Sequence, residues 1–97
     1  MGENERTEWG DPKNEQNIKD RRIDFADLDA AFDGRFAIVV EDKRRDYGEQ
    51  RFNMLVELYG VILHITFTPR PPRERIISAR IASRRERRTY HAKQQNS

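Results

Sequence analysis

The sequence contains no cysteine, which excludes a disulfide framework, a thiolate metal site and a cysteine nucleophile. It also has no run approaching the roughly 20 consecutive apolar residues of a membrane-spanning helix, and no apolar N-terminal stretch that resembles a signal peptide. These absences predict a cytoplasmic protein without membrane contact. At 97 residues the chain is long enough for one modest hydrophobic core, so we expect any active site on the surface of that core.

Negative charge is scarce in the C-terminal third of the chain, although the formal net charge of the whole is only +2. From Arg70 to the end, nine Lys and Arg stand against two Glu, a net charge of +7, whereas residues 1–69 have a net charge of −5. A basic block of this kind is typical of a nucleic-acid surface, but a docking face for an acidic protein has the same composition. The sequence therefore predicts an anionic partner of one of these two kinds.

Seven arginines lie within residues 73–90, RERIISARIASRRERRTY. Lys and Glu usually supply the charge that a solvated helix needs. The planar guanidinium group of Arg differs from them because it can bind a phosphate or a carboxylate through two parallel hydrogen bonds. The choice of Arg in this segment therefore indicates recognition of such a group.

The two ends of the chain are polar and aperiodic, so the sequence predicts a flexible leader at 1–7, a single domain at 8–93 and a flexible tail at 94–97. Asp11 as the N-cap and Pro12 as the first helical residue predict a helix that runs to about residue 21.

A second amphipathic helix is predicted over residues 25–32, because Phe25, Leu28 and Phe32 follow a helical spacing. Alternating apolar and polar residues then predict four strands, at 36–41, 51–58, 61–68 and 75–81. Ser83 and Glu86 have the spacing of a capping box, which predicts a last helix over 84–93. The expected fold is α+β, with two N-terminal helices, a four-stranded antiparallel sheet and a C-terminal helix.

Strict alternation along the last predicted strand separates its arginines between the two faces of the sheet. It places Arg75 and Ile77 on one face, and Ser78 and Arg80 on the other.

A series of segments in a fixed order carries a resemblance to a known family: WGDPKNEQNI, IDFADLDAAFD, ED followed by YGEQRF, LHITFTPR and RIISARIASRRERRTY. Over roughly residues 8–91 the chain resembles the BrnT toxins, small RelE-like proteins of bacterial type II toxin–antitoxin pairs. The resemblance implies a RelE-like α/β fold and endoribonuclease activity that halts translation. It also implies a cognate BrnA-like antitoxin with a ribbon-helix-helix element, through which the toxin is brought to DNA indirectly.

Two segments depart from the family pattern. The chain has Asp20, Arg21 and Arg22 where the family usually has Lys-His-Gly, and Ile81 where the family commonly has a Lys. Arginine restores positive charge at the first segment, but it cannot act as a base at neutral pH.

Cleavage of RNA by attack of its own 2′-hydroxyl needs an aligned phosphate, stabilisation of the charge in the transition state and two proton transfers. The residues predicted to be catalytic are Arg70, Arg75, Arg80 and Tyr90. The residues predicted to bind RNA are Arg73, Arg84, Arg87, Arg88 and His64. The scheme uses no metal ion and no cofactor, and the sequence has no His and carboxylate cluster that would bind a metal.

Each of these assignments has a structural alternative. The arginines also suit a solvated or partner-docking face, and His64 also suits a structural histidine within a strand. Glu49 or Glu86 could accept a proton, but the capping position explains Glu86 better. Tyr90 suits either stacking on a base or proton transfer. At the level of function the alternative is a non-catalytic basic module, a degenerate toxin, that engages an antitoxin-like partner or nucleic acid.

Overall fold

The computed structural model describes residues 1–96 of the chain. Within this range the strands are β1 (Gly2–Glu3), β2 (Thr7–Trp9), β3 (Ala37–Glu41), β4 (Phe52–Leu58), β5 (Val61–Arg70) and β6 (Arg73–Ile81). The α-helices are α1 (Asp11–Arg21) and α2 (Arg84–Gln95). Two short 3₁₀ turns span Phe25–Asp27 and Asp29–Phe32.

The strands form one mixed sheet in the order β1-β2-β6-β5-β4-β3. Every neighbouring pair is antiparallel except β2 and β6, which run parallel. The predicted fold is therefore wrong in two respects: a single N-terminal helix replaces the expected two, and a six-stranded mixed sheet replaces the four-stranded antiparallel one. The four strands that the sequence predicts form the antiparallel part of this sheet as a meander.

The two unpredicted strands, β1 and β2, come from the N-terminal segment. Thr7 and Trp9 are buried, and β2 pairs with β6 so that Thr7 lies beside Glu74 and Trp9 beside Ile76. These strands are only two and three residues long, too short for an alternating pattern to be recognised. Their pairing with β6 depends on contacts between residues about 67 positions apart, such as Glu8 and Arg75, so no local signal predicts it. The flexibility of segment 1–7 in solution stays a prediction.

The predicted second helix is replaced by the two 3₁₀ turns. Phe25 and Leu28 are buried as the sequence predicts, and their spacing of three residues suits the 3₁₀ repeat. The Asp29 carboxylate accepts hydrogen bonds from the Arg6 backbone N–H at 2.9 Å and from the Thr7 hydroxyl at 2.7 Å. These bonds tie the segment to β2, and an isolated helix of this length has little stability of its own.

The two faces of the sheet carry different layers. The face here called the core face contributes to the main hydrophobic core, which comprises Trp9, Phe25, Leu28, Ala31, Met54, Val56, Leu58, Leu63, Ile65, Phe67, Ile76 and Ala79. On the opposite face, here called the pocket face, Tyr90 of α2 packs with Ile62 and Ala82. Helix α2 thus covers the part of the pocket face around Ile62.

A bulge in β6 changes which arginines share a face. Thr66 pairs with Ser78, whereas the next residue, Phe67, pairs with Ile76, so Ile77 is an extra residue without a partner on β5. The bulge shifts the alternation by one position, and Arg75 lies opposite Thr68 on the pocket face, together with Ser78 and Arg80. The expectation that Arg75 and Arg80 lie on opposite faces is therefore wrong, because strict alternation cannot anticipate the inserted residue.

Helix α1 starts and ends close to the predicted positions, but its capping differs from the prediction. Gly10 occupies the N-cap without a side-chain hydrogen bond, and Pro12 lies in the first turn. The Asp11 carboxylate instead accepts a hydrogen bond from the Met1 ammonium group at 2.6 Å. The helix ends at Arg21, and the C-cap residue Arg22 has a left-handed backbone with φ of 59°.

The capping box predicted for α2 is confirmed, since Ser83 accepts a hydrogen bond from the Glu86 backbone N–H and Glu86 accepts one from the Ser83 backbone N–H. The helix continues through Gln95, two residues further than predicted and into the predicted tail, whose last residue, 97, lies outside the described residues. None of the helices in residues 1–96 is long and apolar enough to cross a membrane.

Candidate active site

A polar pocket of about 360 Å³ lies on the pocket face between α1, the middle strands and the first turn of α2. Its walls are formed by Asn17, Arg21, Arg44, Asn53, His64, Thr66, Ser78, Ala79, Arg80 and Glu86. Of the nine residues predicted from the sequence to act on RNA, Arg80 and His64 are in this pocket.

The floor of the pocket consists of two rows of side chains across β4, β5 and β6. One row is Asn53, Thr66 and Ser78, and in the other His64 lies directly opposite Arg80. The Thr66 hydroxyl donates a hydrogen bond to the Asn53 side-chain oxygen at 2.8 Å. Register alone brings these residues together, because neighbours across antiparallel strands on one face lie about 5 Å apart.

Helix α1 forms one wall because it completes the hydrogen bonding of β6. Strand β2 pairs with β6 only as far as Ile76, which leaves the later backbone N–H groups of that edge without a strand partner. The Asn17 side-chain oxygen accepts a hydrogen bond from the Ala79 N–H at 3.1 Å, and its NH₂ group donates to the Ile23 carbonyl at 3.0 Å. With Asn17 fixed in this way, Arg21 one turn later on the helix also lines the pocket.

Arg80 is held by the start of α2. Its two terminal nitrogens contact the two oxygens of Glu86 at 2.8 and 3.0 Å, a bidentate ion pair. The hydrogen bonds from Arg80, together with the Ser83 backbone N–H, lower the pKa of Glu86 to about 2. Glu86 is therefore a carboxylate at neutral pH, and it fixes the orientation of the Arg80 guanidinium group beside the pocket.

His64 is a neutral imidazole at physiological pH. Its side chain is only 17% exposed, and the Nε2 atom lies 4.0 Å from Glu86. Burial lowers the pKa of His64 below the ordinary value, the positive charge of Arg80 lowers it further, and the Glu86 carboxylate opposes the shift only in part. A neutral imidazole next to a guanidinium group can accept a proton from a substrate hydroxyl while the cation binds phosphate.

Two further arginines border the pocket. The side chain of Arg21 on α1 has no hydrogen bond or ion pair with other residues of the described range 1–96. Arg44, in the β3–β4 connection, is 78% exposed and is paired with Asp42 at 2.7 Å. The pocket is thus bordered by three arginines and one carboxylate, and its net charge favours an anionic ligand.

The other predicted arginines of the sheet lie near the β5–β6 turn, each with an acidic partner. Arg70 contacts Glu49 at 3.1 Å, Arg73 contacts Glu3 at 2.7 Å, and Arg75 contacts Glu8 at 2.9 Å. None of these three arginines lines the polar pocket. Their catalytic and RNA-binding roles stay predictions.

The predicted residues of α2 also lie outside the polar pocket. Tyr90 is 2% exposed and packs edge-to-face against Phe36 with ring centroids 5.3 Å apart, and burial raises the pKa of its hydroxyl. Arg84, Arg87 and Arg88 are exposed on the helix surface, and Arg87 donates to the Ala82 carbonyl at 2.9 Å. The structure therefore brings Arg80 and His64 together but not Tyr90, whose catalytic role stays a prediction.

The residues that line the pocket lie between positions 17 and 86, and this part of the sequence matches a known protein family. A family model described as the ribonuclease toxin, BrnT, of a type II toxin-antitoxin system matches residues 9–86. The chain belongs to the BrnT family. All ten residues that line the polar pocket lie within the matched stretch, whereas Arg87, Arg88 and Tyr90 lie beyond it. No curated protein matches the chain.

Membership of the BrnT family confirms the resemblance seen in the sequence and implies an antitoxin partner, since a type II toxin acts with one. Arg21, one of the residues at which the sequence departs from the family pattern, also lines the pocket.

Several pocket residues have no recognisable signal in the sequence. Asn17 lies on a helix that is mostly polar, so the sequence does not distinguish its buried position from the positions of its neighbours. Asn53 lies within the segment RFNMLVEL and alternates with its buried residues, which places it on the pocket face. Only the register between β4 and β5 shows that it lies opposite Thr66. Within the described range, no group of three His, Asp or Glu side chains is arranged to hold a metal ion.

Proposed function

We propose that this BrnT chain is an endoribonuclease that cleaves RNA without a metal ion and so inhibits translation in the cytoplasm. The observation that carries the proposal is the direct pairing, across β5 and β6, of a neutral imidazole with an oriented guanidinium group at a polar pocket. These two groups supply a proton acceptor and a phosphate ligand, two of the components that cleavage of RNA by its own 2′-hydroxyl requires.

In the proposed reaction, His64 takes the proton from the 2′-hydroxyl, and the 2′-oxygen attacks the adjacent phosphorus atom. The bond from phosphorus to the 5′-oxygen breaks, and this oxygen takes a proton from the solvent that the pocket admits. The products are a 2′,3′-cyclic phosphate and a 5′-hydroxyl end. Arg80 and Arg21 contact the phosphate oxygens, whose negative charge increases in the transition state.

The exposed arginines outside the pocket extend the proposed RNA surface. Arg84, Arg87 and Arg88 project from α2, which begins at the edge of the pocket, and cations at such positions attract the phosphate backbone without regard to sequence. We propose that the antitoxin is a BrnA-like ribbon-helix-helix protein that covers this basic surface. DNA binding by the complex then depends on the antitoxin and not on this chain.

A cleavage assay tests the proposal. Purified protein is incubated with end-labelled single-stranded RNA in the presence of a chelator, and the ends of the fragments are identified. Cleavage that leaves cyclic phosphate and 5′-hydroxyl ends supports the mechanism, and loss of cleavage in the chelator contradicts it. Expression of the chain without an antitoxin is expected to stop growth and translation, and unchanged growth at good soluble levels contradicts the toxic function.

One observation favours the alternative of a non-catalytic binding module. Glu86 occupies both terminal nitrogens of Arg80, so a phosphate must displace this carboxylate or share the guanidinium group through its outer edge. If the wild-type chain binds RNA or its antitoxin but cleaves no RNA, the binding module is the better description.

A further inference from the structure

An apolar slot of about 200 Å³ adjoins the polar pocket on the pocket face. Its walls are formed by Ile38, Val40, Asn53, Leu55, His64, Glu86 and Thr89. Three of these residues, Asn53, His64 and Glu86, also line the polar pocket. The two cavities are therefore neighbours: the polar pocket is bordered by arginines, and the slot has the aliphatic side chains of Ile38, Val40 and Leu55 in its wall.

The Asn53 amide is fixed at the junction of the two cavities. Its oxygen accepts the hydrogen bond from the Thr66 hydroxyl at 2.8 Å, so its NH₂ group is the part left to contact a ligand. Within residues 1–96, this NH₂ group donates no hydrogen bond. The junction therefore presents a hydrogen-bond donor whose orientation is set by its neighbour on β5.

A ligand that fills both cavities must carry an anionic group and a flat, largely apolar group close together. A nucleotide has this combination, because its base has an apolar face and its phosphate is charged. An apolar peptide side chain would fill the slot but would leave the cationic pocket without an anion. Charge complementarity and the shared wall of the two cavities thus favour RNA over a protein segment as the occupant.

We propose that the slot binds the base of the nucleotide whose 2′-hydroxyl attacks, and that Asn53 favours bases with an exocyclic carbonyl oxygen: uracil, cytosine and guanine. The inference depends on the proposed ribonuclease function. His64 lines both cavities, so a ribose that delivers its proton to His64 places its own base at the entrance of the slot. The aliphatic walls pack against the base, and the Asn53 NH₂ group donates to its carbonyl oxygen.

Strand β3 offers a matched pair of variants for the test. Val40 lies opposite Asn53 and lines the slot, whereas its neighbour Val39 lies opposite Met54 on the other face. The two valines are similarly exposed, at 61% and 50%. Val40→Ser makes one wall of the slot less apolar, and Val39→Ser makes the same chemical change outside it.

The substrates are DNA oligonucleotides with a single ribonucleotide, which fixes the scissile phosphate, and this ribonucleotide carries uracil, cytosine, guanine, adenine or no base. We expect the wild-type protein to cleave the three carbonyl-bearing substrates faster than the adenine and abasic ones. Val40→Ser should slow cleavage of substrates with a base by about fourfold for each methyl group that no longer packs against the base. It should leave the abasic rate unchanged, and Val39→Ser should behave as wild type.

A second variant tests the amide. Asn53→Ala should bring the rates for uracil and adenine closer together. Thermal unfolding of each variant is measured in parallel, and Val40→Thr, which keeps the branched shape, replaces Val40→Ser if the latter does not fold.

Three outcomes overturn the inference in distinguishable ways. Equal wild-type rates on all substrates, including the abasic one, leave the ribonuclease function standing but remove the base slot. A Val40→Ser variant that cleaves every substrate at the wild-type rate and binds the antitoxin more weakly assigns the slot to the protein partner. Absence of wild-type cleavage on every substrate and on natural RNA removes the proposed function together with the slot.

Discussion

The two ends of the β5–β6 hairpin carry arginines on the same face of the sheet, but in different surroundings. Near the turn, Arg70, Arg73 and Arg75 are each paired with a glutamate from a segment distant in sequence. At the other end, Arg80 is paired with Glu86, six residues further on, and borders a pocket with His64 and uncharged polar side chains.

This difference shows how one residue type can serve two purposes in one strand. A guanidinium group paired with a distant carboxylate fastens two segments together, and here Arg73 and Arg75 fasten the N-terminal strands to β6. The guanidinium group of Arg80 is paired with a near neighbour in the chain and borders a pocket that an anion can enter. The pairing partners, which the fold determines, therefore separate arginines that the sequence presents as equivalent.

Replacement of His64 should have the largest effect on activity at the pocket end. His64→Gln removes the proposed base, and loss of a general base typically lowers the rate about 10²- to 10⁴-fold. His91, the other histidine of the chain, is exposed on α2, and His91→Gln is the matched control. Rates of RNA cleavage by the two variants check the prediction, and a full rate for His64→Gln contradicts the proposed base.

The pH profile of cleavage tests the same residue without mutation. The pKa of His64 is lowered, mainly by burial and then by Arg80, while Glu86 opposes the shift and Arg44 adds to it. A lowered pKa means that the neutral form persists below the ordinary histidine value of about 6.5. The midpoint of the acidic limb of the cleavage profile should therefore lie below about pH 6.5, and a midpoint above this value contradicts the assignment.

Replacement of Arg80 should have the next largest effect. Arg80→Ala removes a preorganised contact to the phosphate and should lower the cleavage rate about 10²- to 10³-fold, with Arg80→Lys rescuing only part because it lacks the planar fork. Arg85→Ala removes the same charge from an exposed position on α2 and serves as the control. The double variant Arg80→Ala/Glu86→Gln shows whether the loss of activity comes from the carboxylate that Arg80→Ala leaves unpaired. A folded Arg80→Ala protein with wild-type activity contradicts the proposed site.

Replacement of Arg75, at the turn end, should affect stability more than catalysis. The ion pair with Glu8 is partly buried, with side chains 27% and 17% exposed, so Arg75→Ala should lower the free energy of unfolding by about 1 kcal/mol. Denaturant unfolding and cleavage rates measure the two effects, again with Arg85→Ala as control. A loss of activity as large as that of Arg80→Ala, with unchanged stability, would support the catalytic role that the sequence predicts for Arg75.

Replacement of the Tyr90 hydroxyl should have the smallest effect on cleavage. Tyr90→Phe keeps the buried ring against Phe36, so we expect an unchanged cleavage rate. The hydroxyl loses its hydrogen bond with the Glu57 backbone, so the free energy of unfolding should fall by about 1 kcal/mol. Tyr59→Phe, in which an exposed hydroxyl loses its hydrogen bond to the Asp27 carbonyl, is the control. A large loss of cleavage by Tyr90→Phe would show that the hydroxyl takes part in the reaction.

Features that depend on near neighbours in the chain were predictable. The alternation in β4 places Met54, Val56 and Leu58 in the core, and the capping box of Ser83 and Glu86 starts α2. The family resemblance was also visible in the sequence and is confirmed. Of the residues that line the pocket, only Arg80 and His64 were predicted site residues, because the others come together only through strand register and the position of α1.

The sequence by itself determined the elements whose signals are local: strand periodicity, one helix cap, the basic C-terminal third and the family motifs. Tertiary structure decided the rest. The parallel pairing of β2 with β6, the extra residue Ile77 that turns Arg75 to the pocket face, and the contact of Asn17 with Ala79 all join residues far apart in the chain or depend on strand register. Their free energy comes from pairings that exist only once the sheet is assembled, so no window of sequence contains them.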